Sequence, residues 1–179
     1  IGWAESIGWD VEQGHGFYVL DGWQKWCIRG MLSEDAAARL VATVCVLIMP
    51  RQNGKNVILE IVELYALFVL GFKYIIHSAH LTETSADHMS RLWEAIESDD
   101  DLAARAKQTV AHGFEKIERM EVSKRTGKPR AVGTIRFRTR SNKIGRGGSP
   151  RLIVLDEAMI LDDKAMNALV PSLSAQTKR

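Results

Sequence analysis

The sequence has little cysteine, and its two cysteines form no recognisable metal-binding or redox motif. Cys27 and Cys45 lie far apart among 179 residues, and neither belongs to a CxxC pair. Neither a zinc site nor a disulfide framework is therefore indicated, and a reducing compartment is expected. Cys45 stands inside an apolar run and is predicted to be a small core residue.

The chain also lacks an apolar run long enough for a membrane span. The longest stretch, Val57 to Phe72, is interrupted by Glu60 and Glu63, whereas a spanning helix needs roughly 20 apolar residues. No secretory signal pattern is present. With 46% hydrophobic and 26% charged residues, the composition is typical of one soluble domain. Because the chain begins at Ile1 rather than methionine, we expect it to be a piece of a larger protein.

Acidic residues are absent between Glu121 and Asp156, although the formal net charge of the chain is only +2. The same interval holds ten of its 24 basic residues, namely Lys124, Arg125, Lys128, Arg130, Arg136, Arg138, Arg140, Lys143, Arg146 and Arg151. The arginines at 136, 138 and 140 alternate with other residues, so a strand would place them on one face. Such a face suits the phosphate backbone of double-stranded DNA. A surface for an acidic neighbouring subunit and a merely solvated face are the alternatives.

Apolar and polar residues alternate along the chain in the order expected for an α/β fold. Continuous apolar runs predict buried strands at Thr43 to Met49, Phe72 to His80 and Arg151 to Ala158. Two further strands, Glu115 to Val122 and Gly133 to Arg140, predict a β-hairpin. Helical patterns cover the segments Asp21 to Leu32, Asn56 to Leu70, Leu81 to Ser98, Leu102 to Val110 and Asp162 to Ala175. The resulting fold is a mainly parallel central sheet flanked by helices, plus the hairpin.

The segment PRQNGKN, which follows the first predicted strand, approximates a phosphate-binding loop. The usual pattern is GxxxxGK[ST] between a strand and a helix, but Met49 replaces the first glycine and Asn56 replaces the hydroxyl residue. Backbone N–H groups at a helix N-terminus favour anions, Lys55 can reach the β- and γ-phosphates, and the Asn56 amide oxygen can serve Mg²⁺. An ordinary Asn-Gly turn is the alternative. The predicted nucleotide-binding residues of the loop are Pro50, Arg51, Gln52, Asn53, Gly54, Lys55 and Asn56.

Two adjacent carboxylates complete the predicted nucleotide site. Asp156 and Glu157 follow the apolar run LIVL about 100 residues after the loop, as in a Walker B strand. Asp156 is predicted to hold Mg²⁺ and Glu157 to polarise the attacking water. A solvated strand end or a helix cap would explain the pair without catalysis. By contrast, His77 and His80 are predicted to be structural, because a strand points them to opposite faces and no third metal ligand is apparent.

These motifs resemble the large terminase subunit of tailed bacteriophages. The similarity rests on PRQNGKN, on GRGGSPRLIVLDEA and on LDGWQKW. The resemblance implies a P-loop NTPase fold of the ASCE type, hydrolysis of ATP with Mg²⁺, and translocation of double-stranded DNA by a homo-oligomeric ring. It places Gln24 on the adenine base, which divides the chain into a segment 1–40 with this motif and an ATPase core 41–179. The core would be truncated before the family's coupling motif.

The resemblance carries further expectations about the whole protein. The portal protein and the small terminase subunit are the implied partners, and the full-length protein is also expected to be an endonuclease whose nuclease domain is absent here. The expected location is the host bacterial cytoplasm, not the virion.

Arg146 is predicted to be an arginine finger. It lies in the glycine-rich KIGRGGSP, where a flexible backbone can present its side chain to an adjacent subunit. Arg51 would then sense the phosphates in its own subunit.

Two other functions fit the same residues. The first is another P-loop ATPase, for instance a helicase-like DNA translocase. The second is a nucleotide- or DNA-binding module that has lost hydrolysis because Asn56 replaces the hydroxyl residue. The intact Asp156-Glu157 pair argues against loss of hydrolysis. The absence of the remaining helicase motifs argues against a helicase.

Overall fold

The computed structural model describes residues 1–10, 12–37, 39–50, 53–111, 113–139 and 149–158. In this part of the chain, three helices are followed by one strand, two further helices and a final run of four strands. In chain order they are α1 (Gly2–Ser6), α2 (Gly22–Met31), α3 (Lys55–Phe68), β1 (Tyr74–Ala79), α4 (Thr82–Glu97), α5 (Asp100–Ala103), β2 (Ala106–Thr109), β3 (Lys116–Val122), β4 (Pro129–Thr139) and β5 (Leu152–Leu155).

The strands form one sheet in the order β2-β3-β4-β1-β5. Its parallel part consists of β1 flanked by β4 and β5, while β2, β3 and β4 pair antiparallel and include the predicted hairpin. The α/β fold class is therefore confirmed, with a parallel part and an antiparallel extension. Because the parallel strands β1 and β5 run side by side, their carboxyl ends meet at one edge of the sheet, where ligands bind in folds of this type.

The core lies between the sheet and the helices α3 and α4, both of which contact β4. Helix α3 is buried on nearly every side, which explains why its sequence is apolar almost throughout. Its largest fully buried side chains are Ile58, Ile61, Leu64 and Leu67. The chain leaves α3 just before Gly71, whose φ of +68° is a conformation that glycine adopts without steric cost.

The prediction of a buried strand from Thr43 to Met49 is wrong, because the structure has no strand there. This segment is irregular, and Val44, Val46 and Ile48 are 75, 76 and 91% exposed. A β-branched apolar run forms a strand only where a neighbouring strand satisfies its backbone, and none of the described strands pairs with it. Cys45 is correspondingly exposed rather than a core residue.

Residues 102–110 were also predicted incorrectly as one helix. The Asp99 carboxylate accepts hydrogen bonds from the backbone of Asp101 and Leu102, and it thereby caps only the short helix α5. The chain then becomes strand β2, which pairs with β3. Strand pairing, a tertiary effect, has overridden the local helical pattern.

No helix in the described part of the chain is both long enough and apolar enough to cross a membrane. The predicted helix Asp162 to Ala175 lies outside the described residues. Of the predicted strand Arg151 to Ala158, only Leu152–Leu155 is strand, and residues 156–158 turn away from it. The other predicted helices and strands are found with ends within a few residues of those expected.

Candidate nucleotide site

The predicted phosphate-binding loop ends at the N-terminus of α3, as the sequence indicated. Gly54 caps the helix with a φ of +70°, and Lys55 is the first helical residue. Gly54 is required on two counts, because its backbone is left-handed and because a Cβ would stand 2.7 Å from the Gln24 side-chain nitrogen. The free N–H groups of a 14-residue helix are thus directed toward this loop, where the helix dipole favours an anion.

Lys55 and Asp156 meet across 101 residues of sequence. The Lys55 ammonium lies 2.5 Å from the Asp156 carboxylate, which is itself almost fully buried. The backbone of Asp156 donates to the Ser78 carbonyl at 2.9 Å, so the carboxylate is held at the shared edge of β1 and β5. The structure therefore brings the two predicted halves of the nucleotide site into contact.

Glu157 has an unusual backbone for a residue with a side chain. Its φ is +54°, a left-handed conformation that costs a non-glycine residue on the order of 1 kcal/mol or more. Its N–H donates to the Asp156 carboxylate at 2.8 Å, and this contact fixes the strained turn. Strain of this kind is concentrated at functional sites, and here it reorients the chain at the second predicted carboxylate.

Gln24 lies at the loop, but both ends of its amide group already bind protein groups. Its oxygen accepts from the Asp21 backbone at 2.9 Å and so caps α2, while its nitrogen donates to the Gly54 carbonyl at 3.1 Å. The side chain is buried, and it links the N-terminal segment to the phosphate loop. Its contact with adenine remains a prediction, for which one N–H and one oxygen lone pair are left.

A cavity of about 470 Å³ opens beside this link. Its lining includes the predicted residues Gln24, Asn53 and Gly54, and it also includes Trp23 and Met49, which the sequence reasoning missed as site residues. The signal available was the position of Trp23 next to Gln24 in LDGWQKW.

The remaining predicted site residues are placed only in part. Pro50 is exposed beside the cavity-lining Met49, and Asn56 is the second residue of α3. Arg51, Gln52 and Arg146 lie outside the described residues, and their roles remain predictions. An Asp156 carboxylate and an Asn56 amide oxygen are the hard oxygen donors that Mg²⁺ prefers, so the residues present fit this ion.

The predicted basic strand face is confirmed for its described part. Ile135 and Phe137 are buried against the helices, whereas Arg136 is exposed on the other side of β4. The Arg136 guanidinium also lies over the Tyr74 ring, 5.8 Å from its centre, a cation–π contact that orients it. The basic residues of the β3–β4 turn, from Lys124 to Arg130, are likewise exposed. Arg140, Lys143 and Arg146 are outside the described residues.

A buried polar cluster lies in the layer between α3, α4 and β1, and the sequence analysis did not predict it. The Glu63 carboxylate binds His77 Nδ1 at 2.9 Å and His88 Nε2 at 2.6 Å. All three residues are buried, whereas His80 is exposed. The available signal was Glu63 itself, since a carboxylate inside an apolar helix requires partners. His77 and His80 do lie in different surroundings, as the strand geometry predicted, but His77 is paired with residues far away in the sequence.

Electrostatics couples the members of this cluster. Burial alone would raise the pKa of Glu63, but the two imidazoles more than compensate and lower it from 4.5 to about 2. Burial alone would lower the pKa of His88, but the Glu63 carboxylate raises it above 6.5, with smaller contributions from Glu60 and Asp156. Glu63 is therefore ionised at neutral pH, and its negative charge favours the protonated form of His88.

These pKa shifts predict a pH-dependent contribution to stability. The Glu63 contribution is complete above pH 4.5 and is lost as the pH falls toward about 2, while the His88 contribution is complete below pH 6.5 and is lost as the pH rises through the higher pKa of the folded state. Urea unfolding from pH 4 to 9 should show that His88→Gln costs most between pH 4.5 and 6.5, and less in alkali. The exposed His80→Gln should show no such profile. An equal cost of His88→Gln at every pH would contradict this coupling.

The same fold occurs in known structures, the ATPase domains of phage large terminases. The crystal structure of the HK97 bacteriophage large terminase matches 98% of this chain with a TM-score of 0.74 at 20% identity, and 34% of that chain is covered. The Thermus phage P74-26 large terminase ATPase domain matches 88% of this chain with a TM-score of 0.63 at 20% identity, and 61% of that domain is covered.

A mutant form of the same P74-26 domain gives a TM-score of 0.62 at 18% identity. The chain thus spans about a third of the HK97 protein and about three fifths of the P74-26 domain. No protein-family model matches the sequence, and no curated protein matches it significantly.

Proposed function

We propose that this chain belongs to the ATP-hydrolysing motor of a phage large terminase and that it drives the packaging of double-stranded DNA. The observation that supports this most directly is the Lys55–Asp156 contact, because it joins a phosphate-binding loop to a Walker B carboxylate within a terminase-like fold. In the proposed reaction, the N-terminus of α3 and Lys55 bind the β- and γ-phosphates of ATP.

Hydrolysis would then depend on the two adjacent carboxylates. When ATP enters, Lys55 would turn from Asp156 to the phosphates, and Asp156 and Asn56 would hold Mg²⁺. An ion held there would supply positive charge that offsets the charge of the phosphates. Glu157 orients a water molecule in line with the γ-phosphorus and accepts its proton, and ADP leaves as the bond to the γ-phosphate breaks. Arg146 of an adjacent subunit would stabilise the transition-state charge, as the sequence predicts.

The wider roles follow from the resemblance. The exposed basic residues of β4 and the β3–β4 turn would contact the DNA backbone, and the active form would be a homo-oligomeric ring that meets the portal protein and the small terminase subunit. The full-length protein would also be an endonuclease and would act in the host bacterial cytoplasm. The test is an ATPase assay of the full-length protein with and without double-stranded DNA, followed by packaging into portal-bearing capsids. ATPase activity stimulated by DNA but without packaging would instead support a different translocase. Nucleotide binding without hydrolysis would support the binding-module alternative.

The cavity beside the loop yields a further prediction for nucleotide recognition. We propose that the adenine ring occupies this cavity and stacks on Trp23. Trp23→Ala should weaken MgATP binding by roughly 5- to 150-fold, because base–aromatic stacking contributes about 1–3 kcal/mol. Titration calorimetry measures this directly. Trp26→Ala, three residues along the same helix but highly exposed, should change the affinity little. Equal losses of MgATP affinity for the two variants would mean that the adenine ring does not stack on Trp23.

A further inference from the structure

The Glu63 cluster is connected to both halves of the candidate nucleotide site. Glu63 lies eight residues after Lys55 on the same helix α3, a distance of about 12 Å along the helix axis. His77 immediately precedes Ser78 on β1, and the Ser78 carbonyl accepts the hydrogen bond from the backbone of Asp156. One buried carboxylate therefore holds together the helix that carries Lys55 and the strand that positions Asp156.

The geometry of the two imidazoles indicates hydrogen bonding rather than a shared metal ion. Their ring centres are 3.9 Å apart and their planes differ by only 16°. The lone pairs of the ring nitrogens lie in these planes, so those of one ring lie in a plane nearly parallel to those of the other. Two parallel rings cannot both direct a nitrogen at one ion unless a ring rotates. They can, however, donate two parallel N–H bonds to the two oxygens of a carboxylate, as His77 and His88 do to Glu63.

The arrangement is also more costly than packing alone requires. Burying a carboxylate and two imidazoles carries a desolvation penalty that apolar side chains of similar size would avoid. His77 Nε2 and His88 Nδ1 moreover have no hydrogen-bond partner among the groups described. The cluster supplies directional hydrogen bonds between α3, β1 and α4, which apolar packing would not supply.

We propose that Glu63, acting through His77 and His88, is a positioning residue that sets the placement of the phosphate-binding helix relative to the Walker B strand. This inference rests on the proposed function. When ATP displaces Lys55 from Asp156, the cluster keeps α3 and β1 fixed relative to each other. Lys55 and Asp156 therefore remain close enough to share one bound nucleotide. Because such coupling is reciprocal, nucleotide binding must also perturb the cluster.

The test compares two buried glutamates of α3 by titration calorimetry with MgATP. Glu63→Gln preserves size but removes the charge that binds both imidazoles, and it should weaken MgATP binding on the order of 10-fold. Glu60→Gln is the matched control, because Glu60 is equally buried on the same helix but pairs with Arg91 on α4 rather than with β1. Its affinity should remain within about twofold of the wild type. Thermal unfolding of both variants reports the structural cost separately.

A second measurement does not depend on the variant folding. In the wild-type protein, the ring signals of His77 and His88 in ¹⁵N NMR spectra should shift on addition of MgATP, although both rings bind Glu63 in the core and not the described part of the loop. The exposed His80 provides the reference signal. A merely structural cluster would leave all three unchanged.

The outcomes can be told apart. Equal changes in MgATP affinity for Glu63→Gln and Glu60→Gln, or unchanged His77 and His88 signals in a protein that binds MgATP, would overturn the positioning role. One equivalent of zinc in the purified wild type, lost in His88→Gln, would overturn it in favour of a metal site. If the wild type itself fails to bind MgATP, the proposed function fails first and this inference falls with it.

Discussion

Replacing Lys55 with alanine is expected to abolish MgATP binding at the concentrations where the wild type is saturated. The substitution removes the cation that the phosphates would contact at the N-terminus of α3. Charge-assisted contacts of this kind are worth enough to weaken binding by roughly 10²-fold or more. Equilibrium binding of a fluorescent ATP analogue measures the loss.

A matched surface lysine controls for the loss of an ion pair. Lys25 is paired with Glu5 at 2.7 Å and is 33% exposed, while Lys55 is 31% exposed in its pair with Asp156. Lys25→Ala should leave nucleotide affinity unchanged, because its pair lies on α1 and α2 and not at the loop. Full affinity in a folded Lys55→Ala protein would show that the loop does not bind phosphate.

Replacing Glu157 with glutamine is the second large effect expected. The amide has the size of the carboxylate but cannot accept a proton from water, so hydrolysis should slow on the order of 10²-fold or more while MgATP remains bound. Phosphate release by the full-length protein measures the rate, and calorimetry measures the retained affinity. The expected signature is therefore a loss of turnover without a loss of binding.

The strained backbone of Glu157 requires its own control. Glutamine should tolerate a φ of +54° about as well as glutamate does, so thermal stability should change little. Glu118→Gln removes a different, partly buried glutamate that pairs with Lys116 on β3, and turnover should survive it. Undiminished hydrolysis by Glu157→Gln would reassign the catalytic base, whereas loss of MgATP binding would indicate that Glu157 holds the metal instead.

Much of the fold was predictable because it depends on local patterns. The apolar helix after the loop, the amphipathic helix α4 and the strand that ends just before Asp156 each carry a pattern long enough to identify the element. The Gly54–Lys55 and Asp156–Glu157 pairs could also be identified as candidate site residues, since the type and order of the residues indicate phosphate- and metal-binding chemistry. Their meeting follows from strand β5 lying next to β1.

The elements predicted wrongly are those whose state depends on a partner. Thr43 to Met49 has the composition of a buried strand, but a strand requires a second strand to receive its hydrogen bonds. Ala106–Thr109 has no strong strand pattern, yet it pairs with β3. In both cases the presence or absence of a pairing strand in the described part of the chain outweighed the residues' own preferences.

The sequence by itself determined which chemical groups are available: a lysine at a helix start, two carboxylates at a strand end, a run of basic residues without acids, and a glutamate inside an apolar helix. Only the tertiary structure decided which groups meet. It placed Lys55 against Asp156, directed both ends of the Gln24 amide to protein groups, opened the cavity beside Trp23, and joined Glu63 to His77 and His88. Side-chain chemistry is a property of each residue, whereas these contacts exist only because the sheet order and helix packing bring distant segments within hydrogen-bonding distance.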